Sequence, residues 1–410
     1  MKILYIDGVA PFGGASRSLY EVLSAMPPQA VRPYFVAARG SALDFYREIA
    51  YDSIGALGLT RFDHTEYSYY RGLRWLVVAR ELAYLPATIA AMLAAKRRWR
   101  AVDVIHVNEF TEILPGLVAR WLFKAPLVIH VRSVVRNEHS SRRSKWLTRQ
   151  LKRRASAVIA IDETVRTSLP PDLSVDVIHN SFAPQATKTP DTVMIAKLDS
   201  LPKTALRVGF LGNLLHVKGL LDLVEAARIL RDQGCNVQFA VVGDSATRQR
   251  GLKAWLLRRL GLAQDLKTEM LARIDAYGLQ DCFHMLGPTR DIQSVYQRID
   301  VLCFPSHYDA PGRPIFEAAF FAVPSIAAVR NPKPDTLVDG VTGLAIPPRD
   351  PVALAAAIQR LLDAPEEVAR MGGNAKQLAE SHFVPQKNAQ TLLRLYSRLT
   401  ASPHLVVMEA

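Results

Sequence analysis

Cysteine is scarce. The 410 residues include three, Cys235, Cys282 and Cys303, each in apolar sequence. Their spacing makes neither a disulfide framework nor a zinc site. They read as buried, inert thiols, and a reducing cytoplasm suits them. Long apolar runs are missing as well. The longest uncharged helical stretch runs from Leu82 to Ala95 and contains Pro86, short of the roughly 20 apolar residues a spanning helix needs. The opening MKILYIDG reaches Asp7 after four apolar residues, too few for the apolar segment of a secretory leader. A chain that does not cross a membrane is expected. Neither GxGxxG nor GxxxxGKS/T occurs, which weakens a dinucleotide-binding or P-loop reading, a nicotinamide-dependent dehydrogenase included. No Asp-x-Asp pair occurs either.

What is present suits a protein with full cores: hydrophobic residues are 49% and charged residues 22% of the chain. The length exceeds one ordinary domain. Net charge is +13 and uneven. Residues 1–180 hold 25 Lys and Arg against 16 Asp and Glu, while the remainder holds 26 against 22. The N-terminal half therefore either meets something anionic or is strongly solvated.

Short β-branched runs alternate with longer helical patterns. KILYID, PYFVAA, VDVIHV, PLVIHV, AVIAID and VDVIH fall in the first half; RVGFLG, VQFAVVG, CFHMLG, VLCFPS and PSIAAV fall in the second. Several are continuously apolar, as parallel strands buried on both faces must be. Segments such as LLDLVEAARILRDQG and DPVALAAAIQRLLDA space apolar residues by three and four and end in turn residues. This alternation predicts an α/β protein of two doubly wound, Rossmann-like domains facing across a cleft, where ligands meet the C-terminal ends of the strands. The polar, Pro-containing stretch 184–204 is the expected linker, between a domain of residues 1–183 and one of residues 205–383.

Gly13 and Gly14 follow the first strand and open a helix; Gly212 follows RVGFL, and Lys218-Gly219 opens LLDLVEAARIL. Both helix starts can take an anion, although a glycine after a strand is often only a turn. In DAPGRPIFEA, Asp309 and Glu317 stand eight positions apart beside uncharged apolar sequence. Asp309 either caps the next helix or faces a ligand.

These elements together resemble a known family. GNLLHVKG, residues 212–219, is similar to the phosphate-binding loop of the family 4 glycosyltransferases, retaining enzymes of the GT-B fold. DAPGRPIFEA resembles their Glu-x7-Glu element with Asp in place of the first Glu. IHNS at 178–181, VDGVTGLAIPPRD at 338–350 and SHFVPQKNAQTLLRLYSRL from 381 continue the family's order, the last resembling the terminal helix, here 384–400, that returns to the first domain.

The resemblance implies roles. Glu317, in the first turn of a helix begun by Pro314, would accept hydrogen bonds from both ribose hydroxyls of a nucleotide sugar. Lys218 would bind its diphosphate as a point charge, and Asp309 would face the transferred sugar. Gly212, Asn213, Gly287, Gly312, Arg313, Pro314 and Ile315 would complete the donor site. The family usually has Arg where this chain has Asn213. Arg313 or another basic group then supplies the second charge, or the phosphate is held less tightly. In the first domain Gly13, Gly14, His106 and His130 would line the acceptor and sugar side. Asn108 and Arg132, at strand ends where the family often carries His, would join Lys218 and Asp309 in catalysis. His106 and His130 read equally as satisfied core groups. The implied reaction is substitution with retention at the anomeric carbon, with no metal, cofactor or covalent intermediate. The acceptor would be a glycan or lipid-linked glycan of bacterial polysaccharide or glycoconjugate synthesis. The departures at Asp309 and Asn213 also leave room for a nucleotide-sugar binder of weak or no activity.

RRSKWLTRQLKRR, residues 142–154, holds seven basic residues and no acid, with Trp146, Leu147 and Leu151 on one helical face. LAYLPATIAAMLAAKRRWR, residues 82–100, ends in four basic residues around Trp99. Such helices suit an anionic membrane surface, which would place the protein on the inner face of the cytoplasmic membrane; they also suit an ordinary solvated face. No nucleic-acid-binding motif accompanies the charge, and no nucleic-acid partner is expected.

Overall fold

The computed structural model describes residues 1–66, 74–136, 141–184, 189–244 and 266–401. The chain forms two compact units, Met1–Ala183 with the segment from His382 onward, and Pro184–Ser381.

The first unit is built on seven parallel strands: β1 (Lys2–Asp7), β2 (Arg32–Ala38), β3 (Asp52–Ala56), β4 (Val104–Val107), β5 (Leu127–Val131), β6 (Ala157–Ala160) and β7 (Asp176–Val177). Their order is β3-β2-β1-β4-β5-β6-β7, so the direction of winding reverses between β1 and β4. Both faces of each central strand are buried. Leu4, Ile6, Ile105, Val107 and Ile129 face the helices Leu85–Trp99, Ile113–Phe123 and Arg142–Arg154. Ile3, Tyr5, Phe35, Val104 and Val128 face the other way. There the helix Pro385–Ala401 buries Ala389, Leu392, Leu395 and Tyr396 in the same core. Period-two alternation of apolar residues on both sides is what makes this sheet a middle layer.

The second unit has six parallel strands: β8 (Leu206–Leu211), β9 (Val237–Val242), β10 (Phe283–Gly287), β11 (Val301–Phe304), β12 (Ser325–Ala328) and β13 (Gly343–Ile346). Their order is β10-β9-β8-β11-β12-β13, with the reversal between β8 and β11. Both sheets are thus doubly wound and parallel, as the strand-helix alternation predicts.

The stretch expected as a linker holds more than a connection. Asp191 caps a helix, Thr192–Asp199, by accepting from the Met194 N–H at 3.0 Å. Met194, Leu198 and Leu201 enter the second unit's core beside Tyr296 and Ile299. Three apolar residues at intervals of four and three suffice to bury one helical face, despite the polar flanks. Residues 185–188 of that stretch lie outside the described residues.

Candidate functional site

In the second unit the segments following β8 and β11, the two strands at the reversal, come together. Gly212 leaves β8 with its N–H donating to the Val242 carbonyl (3.1 Å), and the exposed Asn213 follows. The chain then makes a short turn, His216–Lys218, and Gly219 starts the helix Leu220–Asp232. Gly219 has φ +71°, and a Cβ there would stand 1.8 Å from the Pro305 carbonyl oxygen. Only glycine allows this turn to lie against the end of β11. Two further links hold it: His307 N–H donates to the Val217 carbonyl (2.8 Å), and His307 Nε2 lies 2.7 Å from Asp222 Oδ2.

This clamp fixes Lys218. Its Nζ stands 5.2 Å from the Phe304 ring centre and 5.3 Å from that of Tyr308. Among the described residues no carboxylate pairs with it, and burial pushes its pKa below the ordinary lysine value. A cation held between two aromatic faces at a helix start, without a counter-charge, is arranged to receive an anion.

The helix Arg313–Ala319 begins one residue before Pro314, with Gly312 before it. A Cβ on Gly312 would meet the Phe304 ring at 2.3 Å, so this loop too presses on β11. The earlier start moves Glu317 into the second turn, not the first. Glu317 is buried; its Oε1 accepts from Arg313 Nε (2.5 Å) and its Oε2 from the Tyr296 hydroxyl (2.9 Å). Arg313 is thus engaged with Glu317, four positions on. Ile315 lies in the core, with its N–H on the Gly312 carbonyl. Its side chain packs among core residues, and Pro314 lies in the first turn of the helix. Gly287 ends β10, its carbonyl accepting from Gly243 N–H at 3.0 Å.

Asp309 neither caps the helix nor points free. It sits in the left-handed region at φ +48°. Its carboxylate takes both the backbone N–H and the Nη1 of Arg330, each at 2.7 Å. The pair ties the loop before Gly312 to the exit of β12.

In the first unit Gly13 and Gly14 open the helix Gly14–Ser24, exposed and with no acid in its first turn. His106 and His130 prove to be core groups. His106 Nδ1 meets the Tyr396 hydroxyl at 2.6 Å, and its Nε2 lies 3.3 Å from His130 Nδ1. Burial, with the Arg132 charge added, pushes His106 down to about 3 and His130 well below its usual range. Both rings are buried, and burial favours their neutral form. Arg132 leaves β5 and donates through Nε to the Asn108 carbonyl (3.0 Å) and Oδ1 (2.9 Å), and through Nη1 to Asn180 Oδ1 (2.7 Å).

Three acids here escaped the sequence reading. Asp7, at the end of β1, is fully buried and accepts from Asn108 Nδ2 (2.9 Å), the Tyr46 hydroxyl (2.5 Å), Ser16 Oγ (3.0 Å) and Val9 N–H (2.9 Å). Glu109 accepts from Ser133 Oγ (2.8 Å) and Phe110 N–H (2.8 Å), and burial raises its pKa to about 7. Glu112 is fully buried, with Arg61 Nη2 3.7 Å from its Oε1. Burial first, then the Asp7 charge, hold its pKa well above the carboxylate range. Their one local signal is position at or just after a strand's C-terminal end.

Residues 12–185 match the family model of glycosyltransferase family 4, and residues 197–378 match that of glycosyl transferases group 1. The chain belongs to this glycosyltransferase family. The transferase is 28% identical over 312 residues to 2-deoxystreptamine glucosyltransferase of Streptomyces kanamyceticus, covering 70% of this chain and 74% of the relative. It is 23% identical over 321 residues to glycogen synthase of Mycobacterium tuberculosis, covering 74% and 70%. Among solved structures, HepE of Anabaena in complex with UDP-glucose superposes with a TM-score of 0.73 at 23% identity, over 97% of this chain and all (100%) of that one. The fold is the GT-B fold.

Proposed function

We propose that this transferase moves a sugar from a nucleotide-activated donor to a hydroxyl of a glycan or lipid-linked glycan, with retention at the anomeric carbon. The observation that carries the proposal is Lys218, a cation with no carboxylate partner among the described residues, clamped at the strand reversal of the second unit. As the glycosidic bond to the diphosphate breaks, charge develops on the leaving oxygens. Lys218 and the free N–H groups at the start of Leu220–Asp232 are placed to stabilise it, and in this reading no metal is required. Glu317, oriented by Arg313 and Tyr296, is the group suited to the ribose diol. Asp309 acts by positioning the loop through Arg330. Arg132 and Asn108 stand at strand ends of the first unit, the side assigned to the acceptor. The UDP-glucose complex of the similarly folded HepE supports a donor of that class.

The reaction is placed in the cytoplasm, in keeping with three unpaired thiols, and on the inner face of the membrane when the acceptor is lipid-linked. Among the described residues no helix is long and apolar enough to cross a membrane. A second reading, a nucleotide-sugar binder with little turnover, is favoured by Asn213 in place of Arg and by the engagement of Asp309 and Arg313 with partners of their own. A thermal-shift screen of UDP, GDP, ADP and their sugars should show stabilisation by one nucleotide class. Release of the nucleoside diphosphate from its sugar, with an acceptor present, then separates enzyme from binder. Absence of any shift across the screen would overturn the donor assignment.

A further inference from the structure

The helix Leu85–Trp99 buries Thr88, Ala91, Met92, Ala95 and Trp99. Its opposite side should be polar, and it is not. Leu85, Ile89 and Leu93 are exposed at 38%, 42% and 38%, preceded by Leu82 at 55%. Pro86, Ala90 and Ala94 fill the rest of the exposed side, so no charged residue faces solvent between Leu82 and Ala95. Leu57, 75% exposed, leaves β3 beside this ridge, and a Cβ on the adjoining Gly58 would touch the Tyr84 ring at 2.5 Å. On the neighbouring helix Ile113–Phe123, Trp121 is 76% exposed. Lys96 Nζ over the Phe123 ring, 5.0 Å from its centre, joins the two helices.

A basic field borders this ridge. Arg97, Arg98 and Arg100 are exposed at its end. Arg120 Nη1 donates to the Arg154 carbonyl (2.5 Å), linking the next helix, Arg142–Arg154. That helix exposes Arg142, Lys145, Arg149, Lys152, Arg153 and Arg154. Asp52 neutralises Arg98 and Asp172 neutralises Lys152. The helices themselves offer no compensation, since residues 82–102, 113–136 and 141–161 contain no acid.

The tryptophans change roles relative to the sequence pattern. Trp99 is buried and donates to Asp52 Oδ2 at 2.8 Å; Trp146 packs on Phe62, ring centres 4.7 Å apart. Trp99 is thus taken up by the core, and Trp146 is half-buried against Phe62. The ridge of Leu82, Leu85, Ile89 and Leu93 with Trp121 takes their place.

We infer that this three-helix face of the first unit docks on an anionic lipid surface, with the ridge and Trp121 in the headgroup boundary and the basic field on lipid phosphates. A contiguous apolar patch of this kind on a soluble protein marks an interaction site. The adjoining charge selects the partner: an anionic bilayer accepts apolar side chains and cations side by side, and Trp suits its interface. The surface rests on the peripheral-membrane part of the proposed function and on none of its donor chemistry.

The full chain should sediment with phosphatidylglycerol vesicles at low salt, less at high salt, and not with phosphatidylcholine alone. The triple variant Leu85→Ser, Ile89→Ser, Leu93→Ser should weaken binding at both salt levels, by about tenfold or more. Replacing Arg97, Arg149 and Arg153 by Gln should weaken low-salt binding by roughly a hundredfold. The nucleotide-induced thermal shift should be unchanged in both, which shows that they fold and keeps donor binding separate from docking. A parent chain that stays in the supernatant at low salt overturns the inference. So does a triple variant that binds like the parent, or one that converts a dimeric parent to a monomer, since the ridge is then a protein interface.

Discussion

Lys218 and Glu109 show how one physical term, burial, serves different ends. At Lys218 it leaves a cation with no partner among the described residues, so the charge is available to a ligand. Lys218→Ala is expected to lower kcat by about 100- to 1000-fold, while affinity for the plain nucleoside stays near parental. Calorimetric titration beside steady-state rates measures both, and parental kcat in the variant would remove Lys218 from the mechanism. At Glu109 burial raises the carboxyl pKa from its ordinary value of 4.5 to about 7. An acid raised in the folded state binds its proton more tightly there than in the unfolded chain. Its contribution to stability is therefore present below pH 4.5 and is lost as pH rises through 7. Glu109→Gln removes this loss. The melting temperature of the variant relative to the parent should climb between about pH 4.5 and 7 and level off above. A difference that is flat across this range would show that Glu109 is not raised.

At the scale of elements, turns and loops carry the donor site and strands position it. The turn at Lys218-Gly219 is held to the β11 exit by backbone contact, and its φ of +71° suits glycine alone. Gly219→Ala puts a methyl group 1.8 Å from the Pro305 oxygen. It should cost more than about 1 kcal/mol of stability and also weaken binding of the nucleoside diphosphate, because Lys218 moves with the turn. A variant with parental melting temperature and affinity would show that the clamp is loose. The edge strands are the other lesson at this scale. β3 and β13 did not stand out in the sequence, whereas every central strand did. β3 reads DSIGA, largely half-buried and opening on two polar residues, and β13 is four residues long. Edge position removes the need for a continuous apolar run, and these two strands lack one, whereas the edge strands β7 and β10 lie within runs that did stand out.

For the whole molecule, the two units have separate cores, and the first contains the chain's final helix. Leu392 and Tyr396 from that helix meet Ile3 and Tyr5 from the first strand. Leu392→Ala should destabilise the first unit by about 3 kcal/mol through the cavity left behind. Calorimetry is expected to resolve two transitions, one lowered by this substitution and the other raised by the bound nucleotide. A nucleotide that raises only the transition lowered by Leu392→Ala would place the donor site in the wrong unit.

Much of this was legible from the amino-acid order. Alternating apolar runs identified parallel sheets, because a strand buried on both faces has nowhere to put polar side chains. Gly212, Lys218-Gly219 and Gly312-Arg313-Pro314 marked turns and helix starts, because their backbone needs are local. Side-chain partnership is not local. Asp309 finds Arg330, Arg313 finds Glu317, and His106 finds Tyr396 290 positions away. The same charged or imidazole group is a ligand when unpaired and scaffolding when paired, and pairing follows from how the sheet orders its strands. Trp99 turns inward and Trp146 packs half-buried on Phe62, while Trp121 stays out; helical periodicity defines a face but not what covers it. The sequence by itself determined the fold class and the turns that present Lys218. Only the tertiary structure decided which of the candidate groups were already taken, because a hydrogen bond or ion pair depends on distance in space and not along the chain.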